Sequence, residues 1–190
     1  MREATALLKE RKCRQPRLHS STAGFTLVEL LAVVIMAGIL AAIMAPGYLG
    51  WLSRTRVNTA QNTVVQAIRE AQTKAQQNQL TWQVSFRQSE SIDKVQWATH
   101  AVTATLKDSD WQTINEPDIE VVPPTTLAAV GAEEWYVQFD PKGQVKGELG
   151  RITLGTIVRV PEKRISNKRC VILSTLLGSI QTASNKDCEK

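Results

Sequence analysis

Glu29 is the side chain of this 190-residue sequence most in need of a chemical explanation. The 24 residues that follow, 30–53, contain no charged side chain, so its carboxylate opens a long apolar run without a cation before Arg54. A carboxylate in such surroundings costs several kcal/mol unless it has a partner. Glu29 therefore either stays solvated at the edge of that environment or meets a positive group brought by another molecule.

Two further sets of residues have chemistry available to them. Cys170 and Cys188 stand near the C-terminus, and Cys13 lies far from both. Between 159 and 169 five bases, Arg159, Lys163, Arg164, Lys168 and Arg169, are accompanied by one acid, Glu162. Such a cluster either holds phosphates non-specifically or forms a solvated face. Seven acids and no base occupy 108–134. No nucleophile elbow, glycine-rich phosphate loop or paired metal-ligand histidines are present. The expectation is a protein that is not an enzyme, with no catalytic residue, no metal and no cofactor. His100 reads as a structural residue in a strand. Trp82, Trp97 and Trp135 read as core packing rather than a ligand platform.

The elements that must position these residues follow from periodicity. Hydrophobic residues make up 43% and charged residues 22%, which is globular rather than disordered composition. The length excludes a large multidomain enzyme. The formal charge of +5 is concentrated at the start: residues 1–24 hold six bases and two acids, leaving 17 and 16 for the rest. The run 30–53 has the ~20 apolar residues that a bilayer core requires of a helix. Tyr48 and Trp51 close it, and the basic flank predicts an N-terminus inside. A cleavable secretory signal is the alternative, but its apolar core is shorter and ends at a small-residue cleavage site.

Beyond the run, Val57, Ala60, Val64, Ala67, Ile68, Ala71 and Ala75 follow one another in steps of three and four or lie side by side, forming one helical stripe. Gln61, Gln66, Arg69, Glu70 and Lys74 fall mostly outside it. Residues 25–79 thus read as one helix, apolar all round in its first half and amphipathic in its second. Gly38 and Pro46 lie within it, and a kink or local melting is predicted near 44–47 because Pro removes a backbone donor. After residue 79 the period becomes two. Strands are predicted around 80–86, 95–102, 119–122, 135–139, 144–149, 151–158 and 170–176, with a Pro/Gly turn at 140–143. The predicted fold class is α+β: a long N-terminal helix, membrane-spanning in its first half, packed on a largely antiparallel C-terminal β domain.

The segment Gly24-Phe25-Thr26-Leu27-Val28-Glu29, with a basic leader before it and the apolar run after it, resembles the type III signal of type IV pilins and pseudopilins. The resemblance implies cleavage by a prepilin peptidase between Gly24 and Phe25 and N-methylation of Phe25. It also implies pairing of Glu29 with the N-terminal amine of a neighbouring subunit during assembly. A Pro at the offset of Pro46 resembles the site where pilin helices loosen in the fibre. The implied organisation is a cytoplasmic leader 1–24, a transmembrane and filament-core helix 25–53 in contact with lipid, and an extracytoplasmic pilin head 54–190. That head comprises the amphipathic helix 54–79 and a β domain 80–190.

The motifs Val137-Gln138-Phe139-Asp140-Pro141-Lys142-Gly143 and Cys170-Val171-Ile172-Leu173-Ser174, followed by Gly178, are similar to the GspH/FimT group of minor pilins and pseudopilins. Partners implied are the prepilin peptidase and other pilins or pseudopilins of a type IV pilus or type II secretion pseudopilus. Some members bind DNA through bases after the Gly of the last strand, whereas here Gly178 is followed by the uncharged Ser179-Ile180-Gln181. Two alternatives stand beside this reading: a DNA-contacting minor pilin, and a single-pass membrane protein with an exported ligand-binding β domain. In an extracytoplasmic head Cys170 and Cys188 either pair, closing a loop of about 18 residues worth on the order of 3 kcal/mol, or remain free thiols.

Overall fold

The structure is a computed structural model and describes residues 24–189 apart from 90, 132, 160, 161 and 163, with residues 44–46 and 49 described in backbone only. Residues 1–23 of the predicted leader, with Cys13 and His19 among them, and Lys163 lie outside the described residues. By its contacts the chain divides into two units, Met1–Ile43 and Met44–Lys190.

One helix, α1, runs from Leu27 to Asn78. In the first unit its described side chains are all exposed. Among the described residues no helix is long and apolar enough to cross a membrane. The expectation of a membrane-spanning first half is corrected accordingly. Glu29 places a carboxylate in the first turn. Helical structure continues across Gly38 and Pro46.

Among the described residues of the second unit ten strands follow the helix: β1 (Trp82–Ser89), β2 (Lys94–Ala101), β3 (Gln112–Thr113), β4 (Ile119–Val121), β5 (Ala128–Ala129), β6 (Glu134–Phe139), β7 (Val145–Lys146), β8 (Arg151–Val158), β9 (Arg164–Leu173) and β10 (Ile180–Ser184). They form two sheets in which every pairing is antiparallel. The first has the order β3-β2-β1-β6-β5 with β7 on β6, and the second the order β10-β9-β8-β4. The β6–β7 turn needs its glycine, because Gly143 sits at φ +78° while Asp140 Oδ1 accepts from the Lys142 and Gln144 amides.

The core lies between the amphipathic part of α1 and the inner faces of both sheets. Val57, Ala60, Val64, Ala67, Ile68, Ala71 and Ala75 are at most 1% exposed. Four of these seven are alanines, which let strands approach the helix axis closely. Val84, Phe86, Phe139, Ile152, Leu154 and Val171 meet them from the sheets. Burial of each large side chain contributes roughly 1.5–3 kcal/mol. Trp97 belongs to this core, and Trp82 and Trp135 pack against it.

The helix is also pinned by polar bonds. Gln61, assigned above mostly outside the apolar stripe, is buried and donates to Cys170 O (2.8 Å) and Ala183 O (3.3 Å). Its place on the stripe is geometric, four residues from Val57 and three from Val64. Near the end of the helix Gln72 donates to Gly143 O (2.8 Å) and Gln76, one turn later, to Lys142 O (3.2 Å). These amides hold the β6–β7 turn against α1.

Candidate functional site

The start of α1 is built by Thr26. Its hydroxyl accepts a hydrogen bond from the Glu29 amide at 3.2 Å, and its carbonyl accepts from the Leu30 amide at 3.1 Å. Thr26 and Glu29 thus have the Thr-x-x-Glu spacing of a helix N-terminus, in which an acid at the third position also favours the helix dipole. That spacing was available in the sequence as a second reason for an acid at this position. Gly24, Phe25 and Thr26 precede the helix without regular structure and are exposed.

Glu29 is exposed and has no ion-pair partner among the described residues. The apolar side chains around it are exposed on all faces: Phe25 is 81% exposed, Leu31 53% and Ile43 71%. An uninterrupted apolar surface of this kind is an interaction surface rather than a solvated one.

In the second unit Cys170 and Cys188 are bonded to each other, with Cα atoms 5.7 Å apart and both side chains fully buried. The bond fixes the short 3-10 turn Asn185–Cys188 to the middle of β9. Arg151 Nη1 donates to Cys188 O at 2.7 Å and holds the same turn from β8.

The described members of the basic cluster do not act together. Arg159 bonds to Asp93 (2.5 Å) and Glu120 (3.3 Å) and lies 3.9 Å from Asp118, which Arg56 also approaches at 3.7 Å. Lys168 pairs with Glu189 at 3.0 Å. Part of the acidic run 108–134 is thus spent neutralising this end of the basic one. Arg164 and Arg169, with Lys163 outside the described residues, are the members without an ion-pair partner among the described residues.

His100 belongs to a polar row across β6, β1 and β2. Gln138 donates to Gln83 Oε1 (2.8 Å), Gln83 donates to Ser85 Oγ (2.8 Å), and Ser85 Oγ lies 3.4 Å from His100 Nε2. Among the described residues no three His, Cys, Asp or Glu side chains come together as a metal-binding group. Comparison with protein-family models, with curated proteins and with solved structures finds no match to the chain.

Proposed function

We propose that the chain is a pilin-like structural subunit, a minor pilin or pseudopilin, that is processed between Gly24 and Phe25 and then assembles through its N-terminal helix with other subunits of the same kind. The carrying observation is the pairing of two surfaces on one helix. The part from 57 to 75 is sealed against two sheets, whereas the apolar part up to Ile43 is exposed on every face. Helices of the same kind, packed side by side, would cover that face.

Glu29 supports the same reading. It stands in the first helical turn, exposed and without a cation among the described residues. A free amine at Phe25 of a neighbouring subunit would be a partner of opposite charge. The bonded cysteines favour an extracytoplasmic head, where disulfides persist. The part the protein plays is architectural rather than catalytic.

Mass analysis of the N-terminus of the mature protein tests this. A methylated Phe25 terminus is expected. An intact leader, or cleavage elsewhere, removes the basis for the reading.

A further inference from the structure

Arg169 occupies a position in the second sheet where an unpaired cation needs an explanation. In the β8–β9 ladder its register partner is Leu154, which is fully buried, so Arg169 stands on the helix-facing side of the sheet. Asn167, two residues earlier and opposite the buried Thr156, shares that side. Asn167 Nδ2 donates to Ser53 Oγ on α1 at 2.9 Å, which brings the next helix residue, Arg54, to the same rim. Ser184 pairs with Arg169 from β10, and Asn185 follows it directly.

Arg54, Asn167, Arg169 and Asn185 line one cavity of about 300 Å³ with Val57 beneath them. Among the described residues no carboxylate lines it. Glu189, a nearby acid in sequence, is held by Lys168 instead. Neither Arg54 nor Arg169 has a hydrogen-bond or ion-pair partner for its guanidinium among the described residues. Two like charges lining one partly enclosed space repel each other, and an anion between them turns that repulsion into attraction.

We propose that this cavity is a binding site for a single phosphate-type oxyanion, held by the Arg54 and Arg169 guanidinium groups with the Asn185 amide as a further donor. Planar guanidinium groups bind such oxygens in pairs, with specificity as well as strength. One phosphate suits the site better than a polyanion, since Arg159 and Lys168 are already engaged by carboxylates and no continuous basic track runs through the described residues. The phosphate comes either from solution or from a lipid headgroup. Trp51, 60% exposed beside Tyr48 and one turn before Arg54, gives the second source its physical basis.

The test is a titration of the full chain in non-ionic detergent, followed through the guanidinium Nε–Hε resonances of its arginines. One arm adds inorganic phosphate and the other mixes phosphatidylglycerol into the micelle, each against chloride at equal ionic strength. Saturable shifts of Arg54 and Arg169, with Arg164 unmoved, are expected in at least one arm, and the responding arm identifies the source. Arg54→Gln should weaken the response of Arg169 at least tenfold while the backbone amide spectrum is retained. No shift in either arm, or equal shifts of all arginines, overturns the proposal. So does a response of Arg169 that Arg54→Gln leaves unchanged in a folded protein. Should that variant fail to fold, the wild-type titration alone decides.

Discussion

Gln61 donates its side-chain amide to the backbone carbonyl of Cys170 at 2.8 Å, in the buried space between α1 and the second sheet. The same nitrogen reaches Ala183 O at 3.3 Å, and Ala183 is the β10 register partner of Cys170. One helix side chain therefore serves two adjacent strands at the point where the disulfide is anchored.

Replacing Gln61 by Leu keeps the size of the side chain and removes the donor. Two carbonyls then face an apolar group, at a cost of about 1–3 kcal/mol for an unsatisfied buried acceptor. Thermal or urea unfolding of Gln61→Leu should register that loss. Stability within about 0.5 kcal/mol of wild type would mean that water or the ladder itself satisfies those carbonyls.

The apolar stripe of α1 was legible because seven positions repeat with a helical period and all seven are buried. Gln61 was not, because residue type was read before position. The beginning of β9 was hidden for a different reason. Arg164, Ile165, Ser166, Asn167, Lys168 and Arg169 show no apolar alternation, since the inner-face positions at the rim of the sheet carry Asn167 and Arg169. A register shift beside Thr156 and Ile157 disturbs the period further. β10 escaped notice as an edge strand of mostly polar residues. It is nevertheless the element that decides the cysteine pairing left open by the sequence. Running antiparallel to β9, it carries the chain back so that Cys188 returns to Cys170.

Removing both cysteines, as Cys170→Ala with Cys188→Ala, opens a loop of about 18 residues and should cost on the order of 3 kcal/mol. The Arg151–Cys188 carbonyl bond remains to hold the turn, so the head should still fold. Because both cysteines are buried, a reductant should act on wild type only as the head opens. Urea unfolding with and without reductant checks both points. Rapid reduction of the native protein, or a loss below about 1 kcal/mol, contradicts them.

Gly178 lies between β9 and β10 with φ +80°, and a Cβ there would stand 2.5 Å from Gln72 Nε2. Gln72 is the residue that bonds Gly143 O and, at 3.2 Å, Leu177 O. Gly178→Ala should therefore cost roughly 1–2 kcal/mol in backbone strain and more through displacement of Gln72. A double-mutant cycle with Gln72→Ala separates the two, since truncating Gln72 removes the clash and leaves the strain. Additive effects across that cycle would place the whole cost in the backbone.

On the proposed reading Glu29 has two tasks, one within its own helix and one toward a neighbouring subunit, and substitutions can divide them. Glu29→Gln retains the backbone amide that donates to the Thr26 hydroxyl while losing the charge. Thr26→Ala does the reverse, costing roughly 0.5–2 kcal/mol at the helix start and leaving the carboxylate in place. A hydrogen bond to a charged group contributes about 1.5–3 kcal/mol, equivalent to a factor of roughly ten or more. Glu29→Gln should accordingly be cleaved at Gly24 and keep a stable head, yet enter filaments roughly ten times less well than wild type. Thr26→Ala should enter them nearly normally. Fractionating cells into membranes and sheared filaments, with the mature subunit quantified in each, gives the comparison. If Glu29→Gln assembles normally and Thr26→Ala does not, the acid serves its own helix and the pairing with a neighbouring amine is wrong. If both variants assemble poorly, the carboxylate and the Thr26 cap are each needed for assembly, since the two changes share no lost group.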